Sequence, residues 1–232
     1  MKRPACNVYE KLFLRGEEGL TMPSRKASKE KVMRAAIDLF NVQGYSGTSV
    51  RDIAAKADAN VALISYYYGS KQGLLEHLMT DFLEGYVGAI ERHVNEMGHT
   101  GAGAALLNAI WDALAYQQRR HHLARFVHRE ITLDTTLVRE LMTTYLTKEK
   151  SLYKNIVRTG FEKGEFRHPP NDYWILQLRG MLILPFLHPQ YIREVYHLMP
   201  HETHFLTKYY EELTGWLSQL FNGQIPKELL RH

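Results

Sequence analysis

Apolar side chains recur at three- and four-residue spacing along nearly the whole chain, and no alternating run lasts long enough to count as a strand. That periodicity confines the fold to packed helices. Punctuation near the N-terminal end is dense. Val32, Ala36, Leu39 and Phe40 share one face of a first helix, with Ser28 as its expected cap and Gly44 as its stop. Thr48 or Ser49 can cap a short second helix, and Ser49 with Asp52 approximates a capping box. Its buried face would be Val50, Ile53, Ala54 and Ala57. Asp58-Ala59-Asn60 reads as a tight turn, and Asn60 caps a third helix over Val61 to Tyr67. Gly69-Ser70 ends it, and Ser70 opens a long fourth helix from Lys71 to about Met97.

Beyond residue 97 the glycine-rich stretch Gly98 to Gly103 reads as an interhelical loop. It has some likeness to a phosphate-binding loop, but it follows a helix and lacks the Lys-Ser/Thr ending. Further helices are expected at about 104–118, 121–132, 135–163, 172–188 and 201–222, with prolines punctuating the last part.

Charge is not spread evenly. Residues 22–75 hold eight Lys and Arg against four Asp and Glu, whereas residues 76–232 hold seventeen against eighteen. All twelve histidines lie beyond residue 76. A basic head on a nearly neutral body is the distribution of a chain that meets a polyanion through one small domain. Residues 1–21 show no clear period, and Arg15-Gly-Glu-Glu-Gly19 reads like a translated ribosome-binding site, so translation is expected to start at Met22. The stretch is then a misassigned or disordered extension, and a basic DNA-binding arm is the competing reading.

Two short helices joined by a three- to four-residue turn, braced by a preceding helix and set in basic sequence, describe a helix-turn-helix. Its recognition helix must bury one face and offer the other to base edges. Ile64 and Tyr68, four apart, would face the core, leaving Val61, Ala62, Ser65 and Tyr66 outward. Small Ala62 permits close approach, Val61 can touch a thymine methyl, and Ser65 and Tyr66 supply hydrogen bonds. Thr48, Ser49 and Arg51 would hold one phosphate, and Tyr67 and Lys71 another. Beyond Asn60 this helix carries no Arg, Lys, Asn or Gln, so a bidentate guanine contact is not expected from it.

Residues 35–79, AAIDLFNVQGYSGTSVRDIAAKADANVALISYYYGSKQGLLEHLM, resemble the DNA-binding domain of the TetR family of bacterial regulators. The resemblance includes the aromatic run Tyr66-Tyr67-Tyr68 and the Gly69-Ser70-Lys71 opening of the fourth helix. Asp58 and Leu63 depart from it, standing where glycine and threonine are usual. It implies an all-α protein in which a three-helix DNA-binding domain (22–75) is followed by a larger helical regulatory and dimerisation domain (76–232). Double-stranded DNA and a second copy of the chain are then the expected partners.

The C-terminal stripe Phe205, Leu206, Tyr209, Tyr210, Leu213, Trp216, Leu217, Leu220 and Phe221 is wider than one neighbouring helix can cover, which fits a homodimer. A second basic feature lies at residues 117–134, where His121, Arg125, His128 and Arg129 share one helical face and are expected to dock an acidic protein partner. The segments LARFVHREITLDTTLVRELMTTYLTKEK, LPFLHPQYI and SYYYGSKQGLLEHL carry a narrower resemblance, to a TetR-type regulator of the division protein FtsZ in spore-forming bacilli. It implies binding near the replication origin and control of FtsZ-ring assembly during polar septation, with FtsZ as a candidate partner.

Other chemistries find little support. One cysteine, Cys6, excludes a cysteine-rich zinc site, and Pro200 interrupts the metal-like spacing of His197, His201 and His204, so neither metal nor cofactor is expected. No nucleophile–base pair or carboxylate dyad marks an enzyme. The longest apolar run, Trp174 to Leu187, is interrupted by Arg179 and Pro185 and is too short for a bilayer, so no membrane partner is expected and the location is read as cytoplasmic and nucleoid-associated. Arg179 is expected to pair with a carboxylate or to snorkel to water, with an anionic small-molecule effector left open.

Overall fold

The computed structural model describes residues 25–222; the readings of residues 1–21 and of the Met22 start lie outside them. Among the described residues the protein is all-α, without strands, and a single antiparallel bridge joins Phe166 to Phe221. Helices α1 (Arg25–Gln43), α2 (Val50–Ala57) and α3 (Val61–Tyr68) form the head. The body comprises α4 (Lys71–Thr100), α5 (Ala102–Arg119), α6 (His121–Glu130), α7 (Thr136–Leu141), α8 (Thr147–Glu162), α9 (Asp172–Leu187), α10 (Pro189–Tyr196) and α11 (Thr203–Leu217).

Head and body are not separated by a linker. The expected boundary at residue 75 falls inside α4, which runs unbroken and buries Leu74, Leu75, Leu78 and Met79 near the head and Phe82, Tyr86 and Ile90 further on. One apolar core extends from Val32 through to Phe221. The α1–α6 contact closes the junction, with Phe40 stacked on Phe126 at 5.1 Å and Asn41 Nδ2 donating to the His122 carbonyl at 2.8 Å.

Several boundaries differ from expectation for identifiable reasons. Helix α1 begins at Arg25, so Ser28 lies inside it; Arg, Lys and Ala are good enough helix formers to extend the first turn past a possible cap. The glycine-rich loop shrinks to one residue. Helix α4 continues through Thr100, and only Gly101, at φ +86°, breaks the chain. The amides of Ala102 and Gly103 at the start of α5 donate to the Glu165 carboxylate at 3.1 and 2.8 Å, so the chain's own acid fills the place a phosphate would take.

The expected helix over 135–163 is interrupted by a π-helical turn, Met142–Leu146. Buried or half-buried residues Leu141, Tyr145, Glu149 and Tyr153 recur every four positions. A regular helix would rotate each by roughly 40° away from the core, and the wider turn absorbs that drift. Pro185 does not end α9 but sits buried within it, leaving the Met181 carbonyl without its helical donor. Tyr209 Oη supplies one at 2.7 Å. Pro189 occupies the first turn of α10, a helix not expected, where its fixed φ favours initiation.

The α11 stripe turns mostly inward. Leu206, Tyr210, Leu213, Leu217, Leu220 and Phe221 are buried within one chain, while Phe205, Tyr209 and Trp216 are half-buried. Exposed apolar surface remains on α9, where Tyr173 and Leu176 are 78% and 67% exposed and Gly180 and Leu184 continue the same face, and on α10, where Tyr191, Val195 and Tyr196 are exposed.

Candidate nucleic-acid interface

The local chemistry of the head follows its caps. Ser49 Oγ accepts from the Asp52 amide at 3.1 Å and Asp52 Oδ2 accepts from the Ser49 amide at 2.8 Å, closing the capping box of α2. These hydrogen bonds hold the Asp52 carboxyl below its ordinary range. Helix α2 ends at Asp58, whose φ of +48° explains why glycine is the usual residue there. Aspartate tolerates this conformation better than most side chains. Asn60 Oδ1 then accepts from the Ala62 amide at 2.8 Å and starts α3.

Packing decides which side chains face out. Ile53, Ala54 and Ala57 of α2 and Ile64 of α3 are buried. On the opposite side Val61, Ala62, Ser65 and Tyr66 form one exposed strip, with Tyr66 65% exposed. Ser49, Arg51 and Asn60 flank it and are also exposed. Arg51 has no ion pair among the described residues, whereas Lys56 meets Asp38 at 3.4 Å. Tyr67 is half-buried, its ring 5.3 Å from that of Tyr66 and 6.2 Å from that of Tyr68. Burial pushes Tyr68 up to about 12, and its hydroxyl donates to the Lys29 carbonyl at 3.4 Å.

Two expected phosphate contacts are placed otherwise. Thr48 is 1% exposed and its hydroxyl donates backward to the Gly44 carbonyl at 2.8 Å, which closes the turn between α1 and α2. Lys71 Nζ lies 4.2 Å from the Tyr45 ring centre and donates to the carbonyls of Tyr45 and Thr48 at 3.0 and 2.9 Å. Only one of its three N–H groups is left over. Both residues brace the loop that presents Ser49 and Arg51.

The second basic face also divides. His128 is buried, with Nε2 2.6 Å from Gln117 Oε1 and its ring edge-on to Phe82, so it is not on the surface. Burial, with Arg179 nearby, pushes its pKa down to about 3. Gln117 Nε2 passes the connection to the Leu182 carbonyl at 3.1 Å, linking α5, α6 and α9. Arg129 donates to the carbonyls of Phe40 and Asn41 at the end of α1, tying body to head rather than reaching outward. His121 and Arg125 are half-buried at the edge of a cleft. His122, Arg193 and His201 join them there, a grouping invisible in sequence because it unites residues up to eighty positions apart.

Of the two expected fates of Arg179 the structure shows the pairing, with Glu149, and Tyr86 donates to the same carboxylate at 2.8 Å. Three helices, α4, α8 and α9, meet at this buried charge.

A braced helix pair with one exposed, uncharged reading strip, flanked by an arginine that has no ion pair among the described residues, defines a helix-turn-helix DNA-binding regulator. The family model for bacterial regulatory proteins of the tetR family matches residues 32–78. A probable HTH-type transcriptional regulator, YttP of Bacillus subtilis (strain 168), is 44% identical over 195 residues, covering 84% of this chain and 94% of that protein. Among solved structures, a tetR-family regulatory protein from Rhodococcus RHA1 superposes with a TM-score of 0.68 at 18% identity, covering 86% and 99% of the two chains. The TetR-family regulator PfmR from Thermus thermophilus gives 0.64 at 20% identity, covering 78% and 94%. The latter two likenesses are of fold. This chain belongs to the TetR family of transcriptional regulators. Members of that family bind double-stranded DNA as dimers and are not enzymes. Among the described residues no helix is long and apolar enough to cross a membrane.

Proposed function

We propose that this chain is a regulator of the RefZ type: a cytoplasmic, nucleoid-associated homodimer that binds near-palindromic motifs close to the replication origin and controls FtsZ-ring assembly during sporulation. The observation that carries the DNA-binding part is the exposed strip Val61, Ala62, Ser65 and Tyr66, flanked by Ser49, Arg51 and Asn60. Apolar and hydroxyl groups read base edges there, and DNA shape supplies further discrimination. The apolar face of α9 supports the dimer, since Tyr173, Leu176 and Leu184 around Gly180 allow two copies of the helix to approach closely. Two heads so joined would address half-sites about one turn, roughly 34–36 Å, apart.

The division role rests on the resemblance of residues 65–78, 123–150 and 184–192 to the FtsZ regulator of spore-forming bacilli. The Bacillus relative and the basic cleft beside Arg125 are consistent with it. Mapping bound sites across the chromosome tests the reading. Sites clustered around the origin support it, and one site beside a neighbouring transporter or enzyme gene overturns it in favour of a repressor.

One observation favours that second reading, a ligand-responsive repressor. A cavity of about 330 Å3 between α8 and α9 is lined by Glu149, Tyr153, Leu176 and Arg179, and the buried Tyr153 hydroxyl has no hydrogen-bond partner among the described residues. A small molecule with an apolar body and one acceptor would satisfy it. A shift in melting temperature on screening such molecules, together with release of DNA, would establish the repressor.

A further inference from the structure

A cleft of about 360 Å3 opens where α6 meets the junction of α9 and α10, away from the DNA-reading strip. His121, His122 and Arg125 reach it from α6, Arg193 from α10, and His201 from the turn before α11. None of the residues lining it is acidic, although Arg193 is paired with its neighbour Glu194 at 2.8 Å. The imidazoles of His121 and His122 lie 4.1 Å apart and those of His121 and His201 5.8 Å apart. Arg125 is half-buried yet has no hydrogen bond or ion pair among the described residues, so a guanidinium with five donors stands at a partly dry surface without an acceptor. Both helices begin at the cleft, with His121 first in α6 and Pro189 first in α10, and neither start carries a side-chain cap. Their free amides add to the positive potential.

The rest of the lining is apolar. Pro185, Phe186, Pro189 and Pro200 line the space between the cations. A phosphate or another compact anion would meet the cations and leave the proline and phenylalanine side chains of the lining uncovered. A chain bearing several carboxylates with apolar side chains among them would satisfy both. On α9, Phe186 is buried on the side opposite the exposed face around Gly180, so a dimer formed through that face leaves the cleft open.

We propose that this cleft is the docking site for an acidic, apolar-containing peptide segment of a protein partner, with Arg125 and His201 as its main carboxylate contacts. The proposal rests on the reading that the protein has such a partner, and it replaces the sequence-derived face, because His128 and Arg129 are engaged inside the fold.

The experiment titrates the full chain into two probes and follows fluorescence anisotropy. One probe is a labelled peptide of glutamate pairs alternating with leucine, with a lysine-for-glutamate version as its control. The other is purified FtsZ. Peptide binding is expected to weaken about tenfold or more in Arg125→Glu and in Arg125→Gln, as truncation of a desolvated charge contact does. Specific DNA binding serves as the check on folding. Equal binding of the lysine peptide overturns the proposal, as does displacement of the acidic peptide by inorganic phosphate at matched ionic strength. If FtsZ binding survives Arg125→Glu, the cleft assignment falls and the division role stands. If the peptide binds through Arg125 while FtsZ does not bind at all, the cleft stands and the division role falls.

Discussion

His128 makes a sharp test of how the body is held together. In the native protein its imidazole is buried and neutral, donating to Gln117 Oε1. Its pKa falls from 6.5 to about 3 on folding, chiefly through burial. The unfolded chain therefore binds one more proton than the native chain in the window between those values, and stability is lost as pH falls through it. The slope is about 1.4 kcal/mol per pH unit, so this group alone removes roughly 2 kcal/mol between pH 6.5 and about pH 5.

His128→Leu keeps the volume but strands the Gln117 carbonyl oxygen, at a cost of about 1–3 kcal/mol near neutrality. It also removes the acid liability. Urea unfolding followed by far-UV circular dichroism, at one protein concentration across pH, should show a variant less stable than wild type near neutral pH. The gap should narrow by roughly 2 kcal/mol towards pH 5. Parallel stability curves would refute the reasoning, because they would mean that His128 takes up its proton in the native state as readily as in the unfolded one.

Further outcomes follow from other contacts. Arg51→Ala should weaken binding to all DNA sequences about equally and lower the salt dependence of binding by about one counterion, measured by anisotropy over a salt series. Lys71→Met should lower the stability of the head by about 1–3 kcal/mol in thermal unfolding, because two carbonyls lose their donor. Glu149→Gln removes the carboxylate that both Arg179 and Tyr86 engage, and the stranded buried guanidinium should cost about 3–5 kcal/mol by urea unfolding. At Gly160 an added Cβ would lie 2.2 Å from the Phe166 ring, which is itself packed edge-on against Phe221 at 5.0 Å. Gly160→Ala should therefore destabilise by about 1–3 kcal/mol, read from the urea midpoint.

Where local chemistry governs the backbone, the chain was readable residue by residue. Ser49, Asn60 and Ser70 cap α2, α3 and α4 because a side-chain oxygen reaches an amide two or three residues ahead, a matter settled within one turn. The outward set Val61, Ala62, Ser65 and Tyr66 was legible for the same reason, since a short helix with Ile64 buried has one remaining side. Expectations that depended on what lay across from a side chain fared less well. Thr48 and Lys71 carry groups suited to phosphate, but Thr48 is taken by the Gly44 carbonyl of its own turn, and the Tyr45 and Thr48 carbonyls compete for Lys71 only once the α1–α2 loop has met α4. The π-helical turn before α8 reflects a core that demands a residue every four positions, which no local propensity announces.

Taken alone, the sequence determined an all-helical chain, a basic head of three helices and the strip that head would present, because helical period and capping are short-range effects. Tertiary structure decided the rest. It made α4 common to head and body, buried His128 against Gln117, set Arg129 on the end of α1, and gathered His121, His122, Arg125, Arg193 and His201 into one cleft. Charge and burial are properties of neighbourhoods, and these neighbourhoods join residues up to 89 positions apart in the chain.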